Sequence, residues 1–348
     1  MIPQDVADLT PAFFAEALRR DVDSAVLLDQ HSGTTGRSRF RLSGDSALPA
    51  TVFVKLAPFD AAQRSFVTAM GMGVAEARFY RDVAAEVPVR VPHPYYAATD
   101  DERYVMVLED LEASGCRFPS PRDPDIERRG GDIVEQLAAL HAKYWDSARF
   151  DAPDDLAWLA GKGTGNQGGG HETMFVKMAV DHLGAQLEPA FHRIADFYLA
   201  HAPEIIGLWN SGPRTLVHGD PHIGNLFVDV RGGDRTGFLD WGVLGCSPGM
   251  RDVAYVVCNS IPGEVRAANE REWLRRYCAL LEEAGVTLSE DDAWRQYRLF
   301  AVYSWVAAAS TAGMLSKWQP LETGLAGTRR TTEACRRLRS VELLKELI

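Results

Sequence analysis

The chain has 348 residues, 46% hydrophobic and 24% charged, with a formal net charge of -11. That length allows a sizeable core and two lobes. The acidic balance argues against non-specific binding to nucleic acid or to an anionic membrane, both of which reward excess Lys and Arg.

The opening Met1-Ile-Pro-Gln-Asp-Val-Ala-Asp has neither a basic leader nor an apolar core, so no signal peptide is expected. No apolar stretch approaches the roughly 20 residues needed to span a bilayer. Cys116, Cys246, Cys258, Cys278 and Cys335 are scattered and lack a CxxC pair. Reduced thiols in a cytoplasmic protein are expected, and not a zinc cluster.

The stretch before Leu111 reads as β-rich. Strands are expected at Ser24 to Leu28 and Ser38 to Leu42, joined across the loop Asp29 to Gly36. Thr51-Val-Phe-Val-Lys-Leu56 is a β-branched strand that Pro58 ends. Glu76, Phe79, Tyr80 and Val83 follow at the spacing of one helix face. Another apolar strand, Tyr104 to Leu108, runs into Glu109-Asp-Leu-Glu112. After a polar, Pro-containing connection from Pro119 to Pro124, the positions Ile133, Leu137, Leu140 and His141 mark a helix reaching Trp145. Gly161 to Gly170 reads as a loop and not as a phosphate cradle, because no strand introduces it and no lysine closes it. Further helices are expected at about 172–200, 263–284, 289–312 and 328–346, with short strands at about 226–229 and 236–239. The fold class is therefore α+β, β-rich first and helical second.

The run Leu216-Val-His-Gly-Asp-Pro-His-Ile-Gly-Asn-Leu-Phe227, followed by Gly237-Phe-Leu-Asp-Trp241, carries the chemistry. Asp220, between Gly219 and Pro221, is placed to orient a hydroxyl and take its proton. Asn225 and Asp240 are hard oxygen donors suited to Mg2+. A lone Asp-Asn pair reads as turn and cap residues, but this pattern has an upstream partner. Lys55 interrupts a strand, where a charge is costly without a solvent face or a partner. Glu76, on the apolar-faced helix, supplies that partner, and Lys55 would then grip nucleotide phosphates.

Ser32, Gly33, Thr34, Thr35 and Gly36 form a weak candidate for a phosphate-covering loop, through backbone N–H groups and hydroxyls. Glu109 to Leu111 is a candidate lobe connection, where the backbone of residues 107 to 110 would meet adenine. A strand end with polar residues explains the stretch equally well. His218 and His222, with Asp220 and Asp240, raise a metal-dependent hydrolase, but no second ligand cluster follows. His218 is better read as holding the loop, and His222 as lying near the metal loop. Asp252 reads as a helix cap or as an acceptor for the 218–220 backbone, and His141 as a packed helix residue. Trp273, Tyr277, Tyr303, Trp305 and Trp318 could line an acceptor pocket, although each is more simply a core residue at helical spacing.

Together, Phe53-Val-Lys-Leu56, Glu76-Ala-Arg-Phe-Tyr80, Val107-Leu-Glu-Asp-Leu111, Leu140-His141, His218 to Asn225 and Leu239-Asp-Trp241 resemble the aminoglycoside phosphotransferase and choline-kinase-like superfamily, especially its ecdysteroid-kinase-like branch. The resemblance implies a protein-kinase-like bilobal fold. Residues 1–111 would form a nucleotide-binding lobe with a five-stranded antiparallel sheet and a helix carrying Glu76. Residues 112–348 would form the helical catalytic and acceptor-binding lobe. It also implies ATP as donor, with GTP as an alternative, Mg2+ held by Asn225 and Asp240, Asp220 as the catalytic carboxylate, and a small-molecule hydroxyl as acceptor. Trp241 stands where protein kinases carry Phe, and no Ala-Pro-Glu segment follows, which favours small molecules over protein substrates. A nucleotide-binding regulatory protein without turnover is the main alternative. Monomer and homodimer both stay open.

Overall fold

The computed structural model describes residues 2–33, 35–100, 102–160, 170–317 and 320–348. In chain order the regular elements begin with α1 (Pro11–Leu18), β1 (Val22–Ser32), β2 (Gly36–Gly44), β3 (Thr51–Leu56), α2 (Ala61–Met70), α3 (Met72–Arg78), β4 (Pro94–Thr99) and β5 (Tyr104–Glu109). Next come α4 (Ile126–Tyr144), α5 (Gly170–Leu183), α6 (Pro189–Trp209), β6 (Thr215–Val217), β7 (Leu226–Asp229), β8 (Arg235–Phe238) and β9 (Gly245–Ser247). The chain ends in α7 (Met250–Ser260), α8 (Gly263–Glu283), α9 (Glu290–Gly313), α10 (Leu321–Arg337) and α11 (Ser340–Leu347). This is a bilobal α+β architecture of protein-kinase-like kind, β-rich and then mainly helical. Two compact units divide it: Met1–Phe118 with Phe227–Val243, and Pro119–Leu226 with Leu244–Ile348.

The first unit is built on a five-stranded antiparallel sheet in the order β1-β2-β3-β5-β4. Period-two alternation sends Phe40 and Leu42, Val52 and Val54, and Val105 and Val107 into one core with Leu9 and Phe14. Thr10 caps α1 by accepting the Phe13 N–H, and Pro11 occupies the first turn, where its missing donor costs nothing. Phe14 then packs on Phe40 with ring centroids 5.2 Å apart. Helix α3 lies close against β5 because of Gly73, where a Cβ would stand 2.0 Å from the Tyr104 ring. Phe79 to Val83 continue α3 as a π-turn, in which Ala84 donates to the Phe79 carbonyl at 2.8 Å. Glu76, Phe79, Tyr80 and Val83 are all buried. The returning segment joins this unit through backbone: Arg117 and Val228 exchange hydrogen bonds of 3.0 and 2.7 Å, and Phe238 donates to the Arg90 carbonyl at 2.8 Å. Phe79 and Trp241 stack with centroids 4.1 Å apart.

In the second unit α9 is the long buried helix, capped by Ser289, whose hydroxyl accepts the Asp292 N–H. Helices α4 and α8 meet where Trp273 packs on Gly130, and a Cβ there would stand 2.5 Å from the indole. No helix among the described residues is long and apolar enough to cross a membrane.

Several expected elements differ in extent. Strands β1 and β2 run on until Ser32 pairs with Gly36, so most of the expected loop from Asp29 to Gly36 is strand. One helix expected at 172–200 is two, α5 and α6, separated around Gly184 and restarted at Pro189, which fits only a first turn. Likewise the 328–346 helix breaks where Arg339 adopts φ 52°, a left-handed conformation that ends α10. The fifth strand implied by the resemblance was not located in the sequence, and it is β4. Gly161 to Gly169, Thr34 and Trp318 lie outside the described residues.

Candidate active site

In the first unit, alternation along β3 turns Lys55 away from the face that carries Val52 and Val54. The side chain is nonetheless 5% exposed, because Glu76 reaches it from α3 with oxygens 2.7 and 2.5 Å from Nζ. Asp240 Oδ1 is the third contact, at 3.1 Å. A buried ammonium gripped by carboxylates is the arrangement in which such a charge can be kept. Burial raises the Glu76 carboxyl above its ordinary value, the neighbouring Lys55 pulls against that rise, and Asp240 adds to it. Asp240 has φ 65°, a left-handed conformation that Asp tolerates better than most residues.

Arg37 sits directly opposite Lys55 in the β2–β3 register, so its side chain leaves the sheet on the same face. Its Nη2 lies 3.3 Å from Asp240 Oδ2, which gives that carboxylate two cationic partners. The Tyr80 and Tyr104 hydroxyls are buried without hydrogen-bond partners among the described residues. Burial, reinforced by the charges of Glu76 and Asp240, raises the pKa of both.

The hairpin candidates are partly committed elsewhere. Ser32 Oγ accepts the Phe59 N–H at 3.1 Å, Gly33 N donates to the Thr35 carbonyl, and Thr35 Oγ1 accepts from Arg37 at 3.2 Å. A Cβ at Gly36 would stand 2.4 Å from the Phe59 ring, so glycine is needed there for packing. Glu109 is spent on Arg90, at 2.7 and 2.6 Å, and on the His93 N–H, while its own N–H goes to the His93 carbonyl. Burial opposes its charge, but the hydrogen bonds from Arg90, the His93 N–H and Ser114, with the Arg90 charge, together outweigh this and hold its pKa below the ordinary value. Leu111 is buried, and its carbonyl accepts from Cys116 N. Glu109 and Leu111 thus brace the end of β5.

In the second unit, β6 pairs with β9 and delivers the loop His218 to Asn225. Asp252, on the first turn of α7 and fully buried, accepts the N–H of His218 at 2.6 Å and of Gly219 at 3.0 Å. His141 Nε2 lies 3.5 Å from Asp252, and its Nδ1 meets the Tyr277 hydroxyl at 2.8 Å. Gly249 leaves the room this stack requires, since a Cβ would come 2.6 Å from His141 Nδ1. Burial raises the Asp252 pKa, but the hydrogen bond and charge of His141, aided by His218 and Arg251, outweigh it and hold the carboxyl low.

Above this anchor, His218 Nδ1 accepts the Asp220 N–H at 3.2 Å. Asp220 Oδ1 accepts the Tyr255 hydroxyl at 2.5 Å, and Oδ2 accepts Asn225 Nδ2 at 3.1 Å. That nitrogen also donates to the Asp220 carbonyl at 2.9 Å, a contact an amide oxygen could not make. The Asn225 carbonyl oxygen is therefore the atom left for a cation. His222 Nδ1 caps a short turn by accepting the Gly224 N–H at 3.0 Å, and Ile223 N donates to Ser260 Oγ at 2.9 Å.

The two imidazoles thus serve the loop through Nδ1, and among the described residues no group of three or more His, Cys, Asp or Glu could hold a metal ion. Within the first unit Asp240 is an oxygen donor of the hardness Mg2+ requires, and Lys55 with Arg37 suits anionic phosphates. Within the second, the Asn225 carbonyl oxygen is a donor of the same hardness. Sequence reasoning missed Arg37 and Tyr255. Tyr255, three residues after Asp252, was accessible as the next turn of one helix face. Arg37 depends on strand register, for which the chain carries no local signal. Of the aromatic candidates, Trp273 packs on α4, Tyr277 on His141, and Trp305 is buried with Nε1 donating to Thr332 Oγ1.

Residues 30–300 match the phosphotransferase enzyme family. A search of curated protein sequences gives no match. Among solved structures, the chain is similar to a protein of Ralstonia eutropha described as an aminoglycoside phosphotransferase, at 16% identity, covering 98% of each chain with a TM-score of 0.58. A choline kinase from Cryptosporidium parvum aligns at 10% identity over 94% of this chain and 91% of that one, with a TM-score of 0.57. An ethanolamine kinase from Plasmodium vivax aligns at 12% identity over 96% and 86%, with a TM-score of 0.54. At these identities the likeness is one of fold. The chain belongs to the phosphotransferase enzyme family, within the aminoglycoside phosphotransferase and choline-kinase-like superfamily.

Proposed function

We propose that the chain is an ATP- and Mg2+-dependent O-phosphotransferase acting on a hydroxyl of a small molecule, with GTP as an alternative donor. The observation that carries this is the buried Lys55 ammonium, aimed by Glu76 and in contact with Asp240. Bound Mg-ATP supplies the phosphoryl group and the metal charge that offsets its oxygens. Lys55 is assigned to the donor phosphates, Asp240 and the Asn225 carbonyl oxygen to the metal, and the N–H groups of the 32–36 hairpin to covering the phosphates. Asp220 receives the proton of the acceptor hydroxyl. Tyr255 and Asn225 fix its rotamer, and Asp252 with His141 holds the backbone beneath it. The nucleotide is thus assigned to the N-terminal lobe and the acceptor to the C-terminal one, and five free cysteines suit a reducing, cytoplasmic setting.

The test is ADP formation over a panel of hydroxyl compounds, with Asp220→Asn alongside. Loss of a positioned general base should lower transfer by about 10²–10⁴-fold while Mg-nucleotide still binds. Nucleotide binding with no acceptor above the water-only background would favour a silent regulatory protein. Failure to bind nucleotide at all would sink the reading.

A further inference from the structure

Among the described residues three arginines are deeply buried: Arg129, Arg251 and Arg266. Arg129 pairs with Asp125 and Asp132, and Arg266 with Glu270 and Glu333. Arg251 is different. It is 3% exposed, has no carboxylate within ion-pair distance among the described residues, and donates from Nη2 only to the Tyr303 hydroxyl. Its Nε and Nη1 are buried with no hydrogen-bond partner among the described residues. Buried guanidinium donors are rarely left so, because each unmade bond carries a desolvation cost. The adjacent Asp252 does not relieve it, since both its oxygens accept backbone N–H groups.

The location gives the unspent charge a meaning. Arg251 and Tyr255 stand four residues apart on α7, hence on one face and about 6 Å apart along the axis. Tyr255 holds the Asp220 carboxylate. Tyr303 bridges the two: its ring lies 6.2 Å from that of Tyr255, and the Arg251 guanidinium carbon lies 4.5 Å from its centroid. Unlike Arg251, Tyr303 is partly exposed, so its hydroxyl can yield the guanidinium to an incoming group. Arg offers a planar fork that matches carboxylate and phosphate oxygens two at a time. With a net charge of -11, long-range steering of an anion is not available, and recognition must come from such a local contact.

Resting on the phosphotransferase reading, we propose that Arg251, covered by Tyr303, anchors an oxyanion on the acceptor. The substrate class is then a small hydroxylated acid or a phosphorylated polyol, and not a cationic amino alcohol or aminoglycoside.

The test follows ADP release by the full chain with four acceptor sets: hydroxycarboxylates, polyol monophosphates, neutral polyols and cationic amino alcohols. Transfer should be confined to one or both oxyanion sets, and which one responds separates carboxylate from phosphate. Arg251→Gln should raise KM for that set about 10- to 100-fold, the scale of a charge-assisted hydrogen bond, with a much smaller change in kcat. Tyr303→Phe, which removes the internal competitor, should lower KM. A purely structural Arg251 would instead depress kcat and KM effects alike for every acceptor. In parallel, the Arg251 Nε–H resonance is titrated with inorganic phosphate and with glycerate, and a saturable shift is expected. Transfer to cationic or neutral acceptors without any Arg251 shift overturns the anchor and leaves the kinase reading intact. A saturable shift without transfer to any acceptor keeps an oxyanion site at Arg251 but overturns its assignment to a kinase acceptor. No shift and no transfer removes both.

Discussion

Replacing Asp252 tests what holds the Asp220 loop in place. In Asp252→Ala the N–H groups of His218 and Gly219 lose their acceptor in a fully buried position, and His141 loses the carboxylate beside its Nε2. An orphaned buried donor costs about 1–3 kcal/mol, with bonds to charged groups at the upper end. Two such donors would cost more than the net effect, because removing the carboxylate also returns its own burial penalty. After that offset, two unpaired buried donors leave a deficit of about 2–4 kcal/mol, a large share of the roughly 5–15 kcal/mol that holds a domain together. Asp252→Asn keeps one acceptor oxygen and turns an NH2 toward the second N–H, so it should lose less. Urea unfolding at neutral pH measures both, read as a lower midpoint at unchanged slope. The sign with pH is also fixed. The folded Asp252 pKa lies below its ordinary 3.8, so its contribution is present above that value and disappears as pH falls through the folded pKa. Asp252→Asn should therefore flatten the acid limb of stability. A midpoint for Asp252→Ala within experimental error of the parent would refute the anchoring argument.

Tyr255→Phe removes the donor to Asp220 Oδ1 and should lower kcat/KM about 10-fold, the scale of one hydrogen bond to a charged group, without altering nucleotide affinity; equal turnover would show that the hydroxyl does not position the carboxylate. Lys55→Met strips Glu76 of its counter-charge in a site where burial already raises its pKa. That variant should bind nucleotide poorly, and its stability, greatest below the ordinary Glu pKa, should fall as pH rises through the folded value; a flat stability profile in chemical denaturation would contradict this. Gly73→Ala places a methyl 2.0 Å from the Tyr104 ring and should cost about 1–3 kcal/mol by overpacking, seen as a lower melting temperature. An unchanged melting temperature would mean that α3 can move off β5.

What the sequence revealed depended on how local each signal was. Val52 to Leu56 sets apolar residues around Lys55, so both the strand and the odd charge could be read from five letters, and the helix face with Glu76 from the eight of Glu76 to Val83. Strands β1 and β2 were underestimated because Asp29, Gln30, His31 and Arg37 are polar, and the ladder at this sheet edge is set by backbone pairing and not by side-chain pattern. The break at Arg339 was hidden for the opposite reason. Apolar spacing continues across it, and a left-handed arginine has no composition signature of the kind glycine provides. Asp220, Asn225 and Asp240 were legible as a spaced motif. The residues that hold them, Tyr255 and Arg37, gain their roles from helix phase and strand register.

The return of Phe227–Val243 to the first compact unit has a consequence for biosynthesis. Ribosomes deliver the chain from the N-terminus, yet Val228, Phe238 and Trp241, the partners of Arg117, Arg90 and Phe79, are made more than 100 residues after Arg117. At the usual pace of synthesis that wait is on the order of ten seconds. The first unit must spend it with these backbone and ring contacts unmade, and incompletely packed species of that kind are the aggregation-prone ones.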